Sequence, residues 1–110
     1  QKLVAPERLA DEGLRLTVRQ MAEEVGAAGF VRQQRAIMGR VDARPWLPAI
    51  SVPSLVLVGA QDVITPPTEA RAIAAGIGAA ARYLEVPGCG HLSTLEAPEV
   101  VNRALIDWLG

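Results

Sequence analysis

Four consecutive apolar residues, Leu55-Val56-Leu57-Val58, sit between Pro53 and Gly59. A run this short, with two β-branched members and turn residues at both ends, reads as a β-strand covered on both faces. Such a strand needs helices above and below and a hydrogen-bonded neighbour at each edge, which dictates a layered α/β architecture. The residues after the run fit that architecture. Thr65-Pro66-Pro67 predicts a helix start with a hydroxyl N-cap, and Ala70, Ile73, Ala74 and Ile77 mark its buried stripe. A second strand is expected over residues 82–86, then the glycine-rich loop Pro87-Gly88-Cys89-Gly90-His91. Ser93-Thr94-Leu95-Glu96 has capping-box spacing, and Pro98 opens a last helix with Val101, Ala104, Leu105, Trp108 and Leu109 on one face.

Residues 54–109 thus read as strand, helix, strand, helix, the unit of a parallel sheet with right-handed crossovers. Two parallel strands are not a stable sheet, and an unpaired apolar edge is an aggregation site. Further strands are therefore expected from a missing N-terminal half or from a second chain, and the start at Gln1 rather than Met agrees with the former. Ahead of this unit the chain reads as helical. Leu14, Val18, Met21 and Val25 form one stripe, Gly26 and Gly29 interrupt it, and Phe30, Ile37, Met38 and Val41 form a weaker one ending near Gly39. Gln33 and Gln34 stand where apolar residues are expected in this second stripe.

Composition removes several functional classes. Eleven Lys and Arg against twelve Asp and Glu, without blocks of like charge, leave no electrostatic footprint for nucleic acid. No apolar run approaches the roughly 18 residues of a membrane span, and no signal-peptide pattern is visible. One cysteine and one histidine cannot complete a usual zinc site, so no metal site is expected, and the lone Cys89 is compatible with a reducing, cytoplasmic setting.

Asp62 lies four residues past the first apolar run and His91 five past Val86, both beyond the carboxyl ends of parallel strands. Loops at that edge converge over a crevice. A carboxylate on one imidazole nitrogen fixes the tautomer and stabilises the imidazolium, while the other nitrogen takes a proton from a nucleophile. Asp62 also has a purely structural alternative, an Asx turn ahead of Thr65-Pro66. Cys89 reads as a small loop residue rather than a nucleophile, and Ser93 as a cap.

Two segments carry a family resemblance. Ser51-Val52-Pro53-Ser54-Leu55-Val56-Leu57-Val58-Gly59-Ala60-Gln61-Asp62-Val63-Ile64-Thr65-Pro66 resembles the strand and acid loop of α/β-hydrolases. Val86-Pro87-Gly88-Cys89-Gly90-His91-Leu92-Ser93-Thr94-Leu95-Glu96-Ala97-Pro98 resembles their histidine loop, in the order that fold requires. The resemblance implies the C-terminal portion of an α/β-hydrolase fold, with residues 1–45 as a helical cap or lid and residues 46–110 as core. It maps Asp62 to the triad acid and His91 to the triad base, and it implies hydrolysis of esters, lactones or related acyl bonds of a small-molecule substrate without a cofactor. Val63 and Leu92, beside the two catalytic positions, and Phe30 of the cap are candidate pocket residues. Met21, Met38 and Trp46 are further candidates if the cap lines an acyl pocket, though helical spacing makes core the simpler reading. The departure is the nucleophile. No Gly-x-Ser-x-Gly occurs, and Ser51, Ser54 and Ser93 sit in no nucleophile elbow. A serine, aspartate or cysteine upstream is the expectation, and a non-catalytic binding module on the same fold is the alternative.

Overall fold

The apolar run forms strand β1 (Ser54–Gly59), and the second expected strand forms β2 (Ala81–Val86) in the computed structural model, which describes residues 2–110. The two pair in parallel, Ser54 opposite Ala81 through Gly59 opposite Val86. Among the described residues they are the whole sheet, so each strand has one unpaired edge. Both faces of β1 are apolar, as the run implies. Val56 and Val58 line one side with Ala70 and Ile73 of helix α2 (Pro67–Ile77). Leu55 and Leu57 share the other with Val101, Leu105 and Trp108 of helix α4 (Pro98–Leu109). The tightest packing lies at the strand ends, where Val86, Cys89 and Ala97 are buried against Leu57 and Leu84.

Helix α1 (Glu12–Met38) consists of two helical stretches joined across a kink at Gly26. Asp11 caps it, its Oδ1 accepting from the Leu14 N–H at 3.0 Å, and Gly39 ends it. The expected interruption occurs at Gly26, whose φ of 68° and ψ of 172° are non-helical and separate the two stretches, while Gly29 stays inside the second. Of the first stripe only Leu14 is buried, while Met21 and Val25 remain exposed. The long arm is anchored at its first turn and largely uncovered beyond it. A 3-10 helix (Arg44–Ala49), started by Pro45, then turns the chain toward β1.

Two expected caps do not form. Helix α2 has Pro66, not Thr65, at its N-cap, because the Thr65 hydroxyl bonds Asp62 instead. The short helix α3 (Ser93–Glu96) starts after Leu92, and the Ser93–Glu96 capping box is absent, because the Glu96 carboxylate turns toward Gly90 and Ala5. Both departures bring side chains to the strand ends. Among the described residues no helix is long and apolar enough to cross a membrane.

Candidate active site

β1 ends at Gly59, and the chain leaves it through Ala60 and Gln61, whose N–H groups donate to the carbonyls of Val86 and Cys89. This zippering of one loop onto the other needs glycine at the crossing. A Cβ at Gly59 would overlap the Cys89 and Gly90 carbonyls, and one at Gly90 would press on the Val4 and Ala5 backbone. The backbones therefore approach as closely as atoms allow, and that approach delivers Asp62 and His91 to one another.

His91 Nδ1 lies 3.0 Å from Asp62 Oδ2. Asp62 is only 5% exposed, and both its carboxylate oxygens are hydrogen-bonded. Oδ1 accepts from the N–H groups of Ile64 and Thr65 at 2.9 and 3.0 Å, which is the Asx turn. Oδ2 faces His91 and also accepts from the Thr65 hydroxyl at 3.1 Å. One oxygen of Asp62 thus makes the Asx turn while the other meets the His91 ring. Burial pushes this carboxyl up, but the N–H of Thr65, the His91 ring and the N–H of Ile64 outweigh it and hold the pKa below the ordinary aspartate value. Asp62 is accordingly a carboxylate at neutral pH, as a partner for an imidazolium must be.

The Thr65 hydroxyl, 3.3 Å from His91 Nδ1, is a site residue that sequence reasoning assigned elsewhere. Its position three residues after Asp62 was the available signal, since that spacing serves a carboxylate as well as a helix start. Cys89 is fully buried, and burial first, then the Glu96 charge, pushes its thiol above the ordinary value, so it is no thiolate nucleophile.

His91 is half-buried and opens on a cavity of about 540 Å³ between the histidine loop and α1. Leu92 and Phe30 line it with Leu3, Val18, Met21 and Val25, and Gln33 contributes an amide. No Asp, Glu, Lys or Arg lines it. Val63 is 64% exposed and lines neither this cavity nor the crevice that Asp62 faces, because it sits on the solvent side of its loop. Met38 and Trp46 are also exposed and lie outside the cavity. Among the described residues no group of three or more His, Cys, Asp or Glu is arranged to hold a metal ion.

Comparison with known proteins identifies the fold family. A family model described as the alpha/beta hydrolase fold matches residues 24–98. A thermophilic esterase from Thermogutta terrifontis superposes with a TM-score of 0.90 at 33% identity, over 98% of this chain and 40% of its own. A Mycobacterium tuberculosis protein named as a candidate non-heme bromoperoxidase, BpoC, is 44% identical over 57 residues, 52% of this chain and 21% of its own. The 3-oxoadipate enol-lactonase 2 of Acinetobacter baylyi is 35% identical over 68 residues, 62% of this chain and 25% of its own. The chain therefore spans between about a fifth and two fifths of the length of these relatives.

Proposed function

The chain belongs to the alpha/beta hydrolase fold family, and from that premise we propose that Asp62 and His91 are the acid and base of a catalytic triad hydrolysing carboxylic esters, lactones or related acyl bonds. The observation that carries this reading is the 3.0 Å contact between His91 Nδ1 and Asp62 Oδ2 at the carboxyl ends of adjacent parallel strands. With Nδ1–H donated to a buried carboxylate, Nε2 is the unprotonated nitrogen and accepts the proton of an attacking hydroxyl. As that proton arrives the ring becomes cationic, and Asp62 stabilises the charge at contact distance. Thr65 keeps the carboxylate oxygen aimed at the ring. The protonated Nε2 then returns its proton to the leaving alcohol, and a second cycle with water releases the acid.

The nucleophile in this reading is a serine supplied from outside these 110 residues, along with the donors for the oxyanion. Residues 1–45 act as the lid and residues 46–110 as part of the core. The apolar cavity of Leu92, Phe30 and Met21 beside His91 takes the hydrocarbon part of a small-molecule substrate. The esterase and enol-lactonase among the relatives support the bond type.

The test is hydrolysis of a p-nitrophenyl ester by the 110-residue chain and by an N-terminally extended form, with His91→Ala in each. Activity in the extended form that vanishes in His91→Ala is the expected result. Activity that survives His91→Ala contradicts the assignment, and an extended sequence with glycine or alanine at the elbow serine points to a non-catalytic module.

A further inference from the structure

Glu96 is a carboxylate only 4% exposed that the proposed chemistry does not use. It has no cationic partner among the ion pairs of the described residues. Its partners are two backbone N–H groups from segments far apart in sequence. Oε1 accepts from Ala5 at 2.7 Å and from Gly90 at 3.0 Å, and Oε2 accepts from Gly90 at 3.1 Å. Gly90 immediately precedes His91. Ala5, fully buried, belongs to the segment that leads into the lid helix.

That segment is fastened to both catalytic loops. The Leu92 N–H donates to the Leu3 carbonyl at 3.1 Å, and Arg8 Nε donates to the Gly88 carbonyl at 3.0 Å. Gln61, next to Asp62, donates its amide to Glu7 at 2.7 Å. Residues 3–8 thus form a strap across the loops, and the Glu96 carboxylate accepts from strap and histidine loop at once. A buried carboxylate left without donors is costly, and each N–H it receives is a charge-assisted bond. With the strap lifted, Oε1 loses the shorter of its bonds, and the carboxylate must shift toward water or toward Gly90.

Resting on the triad reading above, we propose that Glu96 is a positioning residue for His91, acting through the Gly90 backbone, and that it makes the placement of His91 conditional on the docked strap. The lid then does more than cover the cavity: its leading segment completes the acid–base pair. An enzyme of this design is catalytically competent when the strap is seated and weakened when it is displaced.

The experiment uses the active protein containing these residues, with Glu96→Ala and Glu96→Gln, read by ester kinetics, amide hydrogen exchange and the 15N shifts of the His91 ring. For folded Glu96→Ala, kcat falls by about tenfold or more while KM stays within about twofold, since a small displacement of a reacting group costs rate rather than binding. The Ala5 and Gly90 amides lose protection together, and the His91 ring shifts move. Glu96→Gln restores most of kcat, because an amide oxygen at the Oε1 position still accepts from both N–H groups. A folded Glu96→Ala with wild-type kcat overturns the proposal, as does a Glu96→Gln as impaired as the alanine variant. Should Glu96→Ala not fold, wild-type exchange decides: Ala5 and Gly90 opening as one unit supports the clamp, and Ala5 exchanging freely beside a protected Gly90 overturns it. If the wild type hydrolyses no ester, the triad reading fails, while exchange and ring shifts still report whether Glu96 positions His91.

Discussion

At the carboxyl ends of β1 and β2, backbone meets backbone at Gly59, Gly90 and Ala5, and the Asp62 and Glu96 carboxylates are buried with their oxygens satisfied. Along α1, by contrast, Met21, Val25, Phe30, Ile37 and Met38 are exposed, and Gly26 breaks the helix where nothing would obstruct a side chain. The first region is closely packed; the second leaves its apolar side chains uncovered. Chemistry that depends on a proton moving between fixed atoms belongs in the first, and recognition of a variable hydrocarbon group is better served by the second. The cavity beside His91 lies where the two meet, walled by the closely packed loop on one side and by the exposed helix on the other.

The sharpest way to break this contrast is to change the closely packed side by one atom. Asp62→Asn preserves size and the Asx turn but permits the wrong imidazole tautomer, so kcat for ester hydrolysis is expected to fall by about a thousandfold or more with the fold retained. Steady-state kinetics beside circular dichroism check this, and a loss below about tenfold would place the essential base elsewhere. Gly59→Ala comes next. Its Cβ has to displace the Cys89 and Gly90 carbonyls, and urea unfolding is expected to show a loss of about 3 kcal/mol, the upper range for overpacking.

Acid gives a smaller, graded effect. The folded pKa of Asp62 lies below its unfolded value, so its contribution to stability is fully present above the ordinary aspartate range near about 3.9 and is lost as pH falls through the lower folded value. Unfolding midpoints measured from neutral pH downward should therefore drop more steeply in wild type than in Asp62→Asn. Cys89 runs the other way. Its folded pKa is raised, so stability declines as pH rises past the unfolded thiol value of about 8.5, and at neutral pH a thiol reagent should react slowly until denaturant exposes the side chain. Smallest of all, Met38→Ser at the 77% exposed end of α1 should change stability by no more than about 0.5 kcal/mol. A cost of several kcal/mol there would mean that the helix arm is as closely packed as the loops.

The same contrast explains which parts were legible in the sequence. Leu55–Val58 and Pro98 announced β1 and α4 because apolar runs and proline act within a few residues, and the spacing from each strand to Asp62 and His91 announced the pair. Thr65 and Glu96 were legible as residues but not as roles. Each sits at a spacing that a helix cap would use, and each instead bonds a group that the sheet brings close: Thr65 finds Asp62 beside His91, and Glu96 finds Ala5 from 91 residues away. Local pattern cannot register a competitor that only the fold supplies. Val63 lies on the exposed side of its loop, outside the cavity beside His91; adjacency to Asp62 in sequence says nothing of which side of the loop it occupies. The break of α1 at Gly26 was legible, because glycine takes the positive φ that interrupts a helix there, whereas Gly29 is accommodated inside the second stretch.

The most direct test of the pairing at the strand ends is the protonation pattern of the His91 ring, read from its 15N shifts at mildly alkaline pH in wild type and in Asp62→Ala. The triad reading predicts a proton on Nδ1, facing Asp62, with Nε2 bare, and predicts that this preference weakens when the carboxylate is removed. A ring protonated on Nε2 in the wild type, or one indifferent to Asp62→Ala, would contradict an acid–base pair at this site.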